Sequence, residues 1–251
     1  MLNRIDHDAV LELQLAHPPA NALNPELVRS LRDAIHAAAH DGTRAIILSG
    51  AEGMFSAGLD VPALLQLDRR AMSAFWKDFI DLLRNIALSP VPVVAAISGH
   101  SPAGGAVMAI FCDARIAAAG KFKIGLNEVQ VGLLVPPIIY AALKRLVGER
   151  QAERLCVQGL LVPPEEALRI GLVDDVLPGN DVLPAALKWC RDLLVLPPRA
   201  VAGTRRMARA DLAKMFEDLS VRSHEQLVEV WFSEEGQGAM RALVAQLAAR
   251  K

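Results

Sequence analysis

The sequence predicts an α/β fold, and three neighbouring stretches carry that prediction. Val93 to Ile97 is a short apolar run after Pro92, as in a strand buried on both faces. Ser98-Gly99-His100-Ser101-Pro102 punctuates it, and Ala103 to Phe111 then reads as a buried helix of small residues. Before this unit, Arg70 to Leu88 is amphipathic through Met72, Phe75, Trp76, Phe79, Leu82, Leu83 and Ile86, and ends ahead of Pro90. Such aromatic spacing is that of core, so Trp76 is assigned no chemistry.

The remaining elements follow in order. Leu11, Leu13 and Leu15 alternate with polar residues, which predicts a half-exposed strand over Val10 to Leu15. A stiff loop, His17 to Leu23, ends at Asn24, a helix N-cap followed by Pro25 at the first helical position and the stripe Leu27, Leu31, Ala34, Ile35. Arg44 to Leu48 is the second strand. Met54 to Asp60 is a loop leading to a short helix from Val61. Further helices fall at about Pro137 to Leu146, Glu149 to Gln158 and Pro164 to Ile170, and Gly171 to Leu177 is strand or extended chain.

From Asp181 onward the pattern is wholly helical, which divides the chain into a core of residues 1–180 and a helical region of 181–251. The stripes Leu227, Val228, Trp231, Phe232 and Met240, Leu243, Val244, Leu247 have little chain after them to cover them. They either fold back on the core or cover another subunit. No internal repeat is visible.

Composition narrows the function. A net charge of −1 and no basic cluster beyond Arg205-Arg206 argue against a nucleic-acid partner. Three scattered cysteines, Cys112, Cys156 and Cys190, have neither ligand spacing nor an even count for disulfides, and fit a reducing cytoplasm. Met1 to Asp8 is not a secretory or transit signal, and no apolar run is long enough to span a membrane. His36 and His40 lie at helical spacing but lack the acid of a metalloprotease motif, so they read as a solvated pair. No phosphate-binding glycine loop occurs, and His100-Ser101 has no partner acid identifiable by spacing.

Two loops and one acid remain. Gly104 stands at a helix start, where its N–H has no partner inside the helix and lies at the positive end of the dipole; adjacent glycines can equally serve close packing of helix on sheet. The Ser56-Ala57-Gly58-Leu59-Asp60 loop also follows a strand at its carboxyl end, where open α/β sheets place ligands, although an ordinary glycine turn has the same sequence. Glu128 lies in Ile124-Gly-Leu-Asn-Glu-Val-Gln-Val-Gly-Leu-Leu134. Burial among those aliphatic residues raises a carboxyl pKa and makes a better base at neutral pH; exposed at a short helix start, it would be ordinary.

Pro18-Pro-Ala-Asn-Ala-Leu-Asn24, Phe55-Ser-Ala-Gly-Leu-Asp60, Pro102-Ala-Gly-Gly105 with Cys112-Asp113, and Ile124-Gly-Leu-Asn-Glu128 together resemble the crotonase superfamily, and within it the Δ3,Δ2-enoyl-CoA isomerases. The likeness runs in order from about Ala9 to Asp175. The resemblance implies a spiral of ββα units, with C-terminal helices that build trimers or hexamers. It further implies that the Leu59 and Gly104 N–H groups bind the thioester oxygen of an acyl-CoA, with Glu128 as the catalytic acid-base. Ala20, Ala22, Leu23, Ser56, Ala57, Gly58 and Asp60 would help hold the CoA moiety, with no metal and no cofactor beyond the CoA thioester substrate.

One departure bears on the reaction. Family hydratases match two glutamates, and the position of the first is Val107 here. Adding water needs a group to activate it, whereas moving a double bond needs one carboxylate to take a proton from C2 of a 3-enoyl thioester and return it to C4. Isomerisation is therefore the expected reaction. Hydration by an acid supplied elsewhere, a silent acyl-CoA binder and an RNA-binding member are the alternatives.

Overall fold

The computed structural model describes residues 1–38, 40–219 and 221–249, and the side chains of 221–224 lie outside that description. An antiparallel hairpin opens the chain, β1 (Leu2–His7) against β2 (Val10–Leu15). Helix α1 (Pro25–Ala38) begins as expected, with Asn24 Oδ1 accepting from the Leu27 N–H at 2.8 Å. Three turns of a spiral follow. The first is β3 (Ala45–Ser49), β4 (Gly53–Met54), α2 (Val61–Leu64) and α3 (Arg69–Leu88). The second is β5 (Val93–Ile97), β6 (Gly99–Pro102) and α4 (Gly104–Ile110), and the third is β7 (Ala114–Ala118), β8 (Ile124–Gly125), a 3-10 turn at Glu128–Val131 and α5 (Pro137–Val147). The chain continues through α6 (Glu149–Gln158), α7 (Pro164–Arg169), β9 (Asp175–Leu177), α8 (Gly179–Leu194), α9 (Pro198–Ala208), α10 (Ala210–Asp218), α11 (Val221–Trp231) and α12 (Glu234–Ala248).

Each spiral turn gives one strand to each of two sheets. The large sheet has the order β1-β2-β3-β5-β7-β9, parallel except for the opening hairpin, and the small sheet is β4-β6-β8, all parallel. This is the α/β spiral of ββα units that the resemblance implies. On one face of the large sheet, Leu11, Leu13, Leu15, Ile46, Leu48 and Val93 enter the main core; on the other, Val10, Ile47, Val94 and Ile116 pack with Val182, Ala186 and Cys190 of α8.

Two expectations change, and one alternative left open is resolved. Strand β2 is buried on both faces rather than half-exposed, because Leu11, Leu13 and Leu15 enter the main core on one face while Val10 joins the α8-side cluster on the other; even Glu12 is 2% exposed, held by Ser49 and His7. Gly99 to Pro102, read as part of a turn, is strand β6. A Cβ on Gly99 would lie 1.9 Å from the Gly53 carbonyl carbon, so only glycine lets β6 approach β4. The C-terminal stripes are largely covered within the same chain: Trp231 and Met240 are fully buried, α11 packs on α3, and α12 lies on α2 and on the 3-10 turn.

Asp113, at the turn between α4 and β7, ties the helices to the sheet. Its carboxylate accepts from the Val93 N–H at 2.8 Å, from Arg205 Nε at 2.6 Å and from Arg209 Nη2 at 3.0 Å. Both guanidiniums are mostly buried, and Arg209 also donates to the Ala87 and Phe111 carbonyls. Asp113→Ala strands two buried cations, and denaturant unfolding is expected to record a loss of about 3–5 kcal/mol; a loss within about 0.5 kcal/mol, the range of an inert surface change, would contradict this.

Candidate active site

The site is built from three loops that leave neighbouring strands at the same end. In the small sheet β4, β6 and β8 are parallel and adjacent, so the chain beyond each emerges on one edge. Those segments are Phe55 to Asp60, Ala103-Gly104, and Leu126 to Glu128.

The first is laced to the Ala20 to Leu23 segment. The Leu23 N–H donates to the Gly58 carbonyl at 2.7 Å, the Asp60 N–H to the Leu23 carbonyl at 3.1 Å and the Ala57 N–H to the Ala20 carbonyl at 2.9 Å. A trans peptide sets C=O and N–H on opposite sides. Because the Gly58 carbonyl turns toward Leu23, the Leu59 N–H turns away from it, and it has no partner among the described residues. The same reasoning applies to the second loop. The Ala103 carbonyl accepts from the Val107 N–H at 2.8 Å along α4, so the Gly104 N–H points out of the helix start, also without a partner among the described residues.

These two amides are neighbours. A Cβ on Gly58, which has φ +84°, would lie 3.0 Å from the Gly104 nitrogen, and one on Gly104 would lie 3.2 Å from the Gly58 Cα and 2.8 Å from Leu23 Cδ1. Ala103 carries the turn at φ 46° and ψ −123°, a sparsely populated conformation for a residue with a Cβ, as is found where a site constrains its backbone. Both readings of the glycine pair hold: Gly104 leaves its N–H free, and Gly105 is needed for packing, since a Cβ there would lie 2.6 Å from the Ser56 carbonyl oxygen.

Glu128 opens the 3-10 turn. The residue is only partly buried, but its Oε2 is shut from solvent and has no hydrogen-bond partner among the described residues. Desolvation pushes the carboxyl up to about 7, opposed weakly by a hydrogen bond from its own backbone N–H. Its turn is clamped from two sides. Gln130 donates to the Gly159 carbonyl at 2.9 Å, and Gly132, at φ +71°, lies so close to α12 that a Cβ would stand 2.9 Å from the Gly236 Cα. Val107 is 1% exposed and packed into the main core.

The other residues expected to hold a CoA group surround these loops. Ala20, Ala22, Ala57 and Asp60 are partly exposed, and Asp60 Oδ1 caps α2 by accepting from the Ala63 N–H at 3.1 Å. Leu23, Ser56 and Gly58 are buried, and the Ser56 hydroxyl donates to the Asn21 carbonyl at 2.8 Å while accepting from the Gly58 N–H at 3.2 Å. Their side of the work is bracing. Asn21 is the residue the sequence reading passed over: at φ 52° and 3% exposed, it donates from its amide to the Phe55 carbonyl at 3.1 Å. An asparagine in a proline-rich loop, tolerant of left-handed backbone, was the available signal. His36 and His40 meet edge-on at 5.3 Å, and no group of three or more metal-binding side chains occurs among the described residues.

Two unpartnered loop amides and a desolvated acid, on segments that follow the three strands of the small sheet of a ββα spiral, define a class. Residues 6–243 match the family model described as enoyl-CoA hydratase/isomerase, and the chain belongs to that family of acyl-CoA enzymes with the crotonase fold. Among its relatives, the human mitochondrial enoyl-CoA delta isomerase 1 is 36% identical over 203 residues, 80% of this chain and 67% of that one. A probable enoyl-CoA hydratase of Mycobacterium tuberculosis is 31% identical over 232 residues, 90% of this chain and 87% of that one. The crystal structure of human mitochondrial delta3-delta2-enoyl-CoA isomerase matches with a TM-score of 0.95 at 30% identity, covering 100% of this chain and 99% of that chain. An enoyl-CoA hydratase from Bacillus halodurans matches with a TM-score of 0.86 at 26% identity, over 96% and 99%. No helix among the described residues is long and apolar enough to cross a membrane.

The raised Glu128 carboxyl has a consequence apart from catalysis. At pH 4 it is largely protonated in folded and unfolded chains alike, whereas above about 7 the folded chain holds a buried charge that the unfolded chain leaves in water. Glu128→Gln is therefore expected to leave stability nearly unchanged at pH 4 and to raise it by about 1–3 kcal/mol at pH 8. Denaturant curves at the two pH values check this, and an equal effect at both contradicts a desolvated carboxyl.

Proposed function

We propose that this chain is a Δ3,Δ2-enoyl-CoA isomerase, converting 3-enoyl-CoA to trans-2-enoyl-CoA with Glu128 as the only proton carrier. The thioester oxygen accepts hydrogen bonds from the Leu59 and Gly104 N–H groups, which acidifies the protons on C2. Glu128, as carboxylate, removes one of them; the electron pair spreads from C2 over the carbonyl and C4 as a dienolate. The protonated Glu128 then delivers the same proton to C4, the double bond settles between C2 and C3, and the carboxylate is restored. No water, metal or redox partner enters this balance.

The energetics are adequate. Each preorganised amide donor contributes roughly 2.7–4 kcal/mol to an oxyanion, and a positioned base about 10²- to 10⁴-fold in rate. A carboxyl pushed up to about 7 gives and takes protons with little bias at neutral pH, as a shuttle requires.

The observation that carries this reading is the solitary, desolvated Glu128 Oε2, with the apolar Val107 where a hydratase has its other acid. The resemblance also implies homotrimers or hexamers, a reading open to sedimentation.

The direct test is product identity from 3-enoyl- and 2-enoyl-CoA substrates. We expect double-bond transposition without appreciable hydration, lost on Glu128→Gln; hydration of crotonyl-CoA as the main reaction would overturn the proposal. Gly104→Ala, whose methyl must displace Leu23 or Gly58, is expected to lower kcat by about 10²- to 10³-fold with a smaller change in KM, and wild-type kcat would contradict the donor role.

A further inference from the structure

Asn127 Oδ1 and Glu128 Oε2, on consecutive residues of the catalytic turn, are both shut from solvent and both without a hydrogen-bond partner among the described residues. Buried acceptors normally meet a donor. A chain of amides fixes which end of Asn127 faces inward. The Gly159 carbonyl can only accept, so Gln130 turns its Nε2 to it, at 2.9 Å. Gln130 Oε1 is thereby left as an acceptor, and it receives the Asn127 Nδ2 at 3.2 Å. With its nitrogen used on the outside, Asn127 points its oxygen inward.

Both side chains lie against the last turn of α6. A Cβ on Gly159 would stand 3.5 Å from the Asn127 Cα, and the Cys156 thiol on that turn, 6% exposed, is pushed up to about 11 by burial and by the Glu128 charge. Helices α6 and α12, which pack on the catalytic turn, bring it no charge. Glu149, Arg150 and Glu153 of α6 and Glu234, Glu235 and Arg241 of α12 are exposed, Arg154 is turned to Gln151 and Glu166, and no charged group contributes to the raised Glu128 carboxyl. Two acceptors confined in this way repel one another, and a single proton relieves both, because a carboxyl O–H donates where a carboxylate cannot.

We propose that Asn127 Oδ1 accepts a hydrogen bond from the Glu128 carboxyl whenever Oε2 carries a proton, which makes Asn127 a positioning residue that favours the acid form of the proton carrier. A hydrogen bond open only to the neutral form raises the proton affinity of the carboxylate, so Glu128 holds the proton taken from C2 more firmly than desolvation alone would allow. The hydrogen bond is independent of the reaction; its catalytic consequence rests on the isomerase reading above. Gln130 acts one step further out, since without its Oε1 the Asn127 amide is free to turn its N–H groups to the carboxylate and favour the charge instead.

NMR of the intact protein, isotope-labelled at its glutamate carboxyl carbons, follows the titration directly, with Glu128→Gln assigning the signal. Asn127→Leu nearly keeps the volume and removes the acceptor, and the Glu128 midpoint is expected to fall by about one pH unit, the size of one hydrogen bond. Mere loss of a polar neighbour has the opposite sign, because a drier carboxyl titrates higher. Gln130→Leu, at an exposed position, leaves Asn127 in place and is expected to lower the midpoint as well; it decides alone if Asn127→Leu fails to fold. The acid limb of kcat/KM for 3-enoyl-CoA is expected to move with the midpoint. A midpoint that stays or rises in either folded variant overturns the inference, and an acid limb that stays while the midpoint falls overturns the positioning role. Falling midpoints in a protein that fails to isomerise 3-enoyl-CoA uphold the hydrogen bond while removing the isomerase reading.

Discussion

The proposed chemistry depends on a contact between two backbones, Gly58 against Gly104. A side chain at either position would enter the other's main chain or the Leu23 side chain, and the separation it forced would exceed what two hydrogen bonds to one oxygen tolerate. The contact is prepared from further away. Gly99 lets β6 lie against β4, the Ala20 to Leu23 segment pins the Gly58 carbonyl, and the strained Ala103 swings the Gly104 N–H out of its helix. In the proposed reaction, main-chain donors held in this way need no reorganisation when charge develops in front of them.

The acid is tuned by the opposite means, through absence of partners. Glu128 keeps an oxygen in a place where neither water nor protein donors reach it, and the penalty is tolerated because the turn is locked by Gln130, Gly159 and the α12 helix. The C-terminal helices are thus part of the site. Helix α12 crowds Gly132, and α11 brings Trp231 to Trp76, so the last two helices brace the Glu128 turn and complete the core beside α3. Stability and function pull apart at Glu128, as expected where a charge is needed in a dry place.

Long elements were legible from periodicity or punctuation alone. Helix α3 showed its apolar stripe, β5 its run of buried residues, and α1 its Asn24-Pro25 start. Strand β1 was passed over because Asn3, Arg4 and Asp6 make it too polar for a hydrophobic pattern, and it is held by backbone pairing to β2. Strand β6 was read as a turn because four residues including glycine and proline carry no alternation; its pairing with β4 and β8 is a tertiary fact. The spiral repeat was invisible for the same reason, since its units share topology without shared residues. Of the site, Gly104, the Ser56 to Asp60 loop and Glu128 were legible as candidates from their local sequence and the motif resemblance gave them roles, while the freedom of the two N–H groups and the desolvation of Oε2 depend on loops distant in sequence. The partner of Asn21, the Phe55 carbonyl, is likewise distant in sequence, although its left-handed-tolerant residue type was visible.

The central claim is one geometry: two amides on one oxygen, with one acid beside the carbons between which the double bond moves. A crystal structure with a bound, unreactive acyl-CoA analogue measures it directly. The account predicts the thioester oxygen within hydrogen-bond distance of both the Leu59 and Gly104 nitrogens and a Glu128 carboxylate oxygen over the C2–C4 segment. A thioester oxygen held by other groups, or a Glu128 carboxylate turned away from the acyl chain, would contradict it.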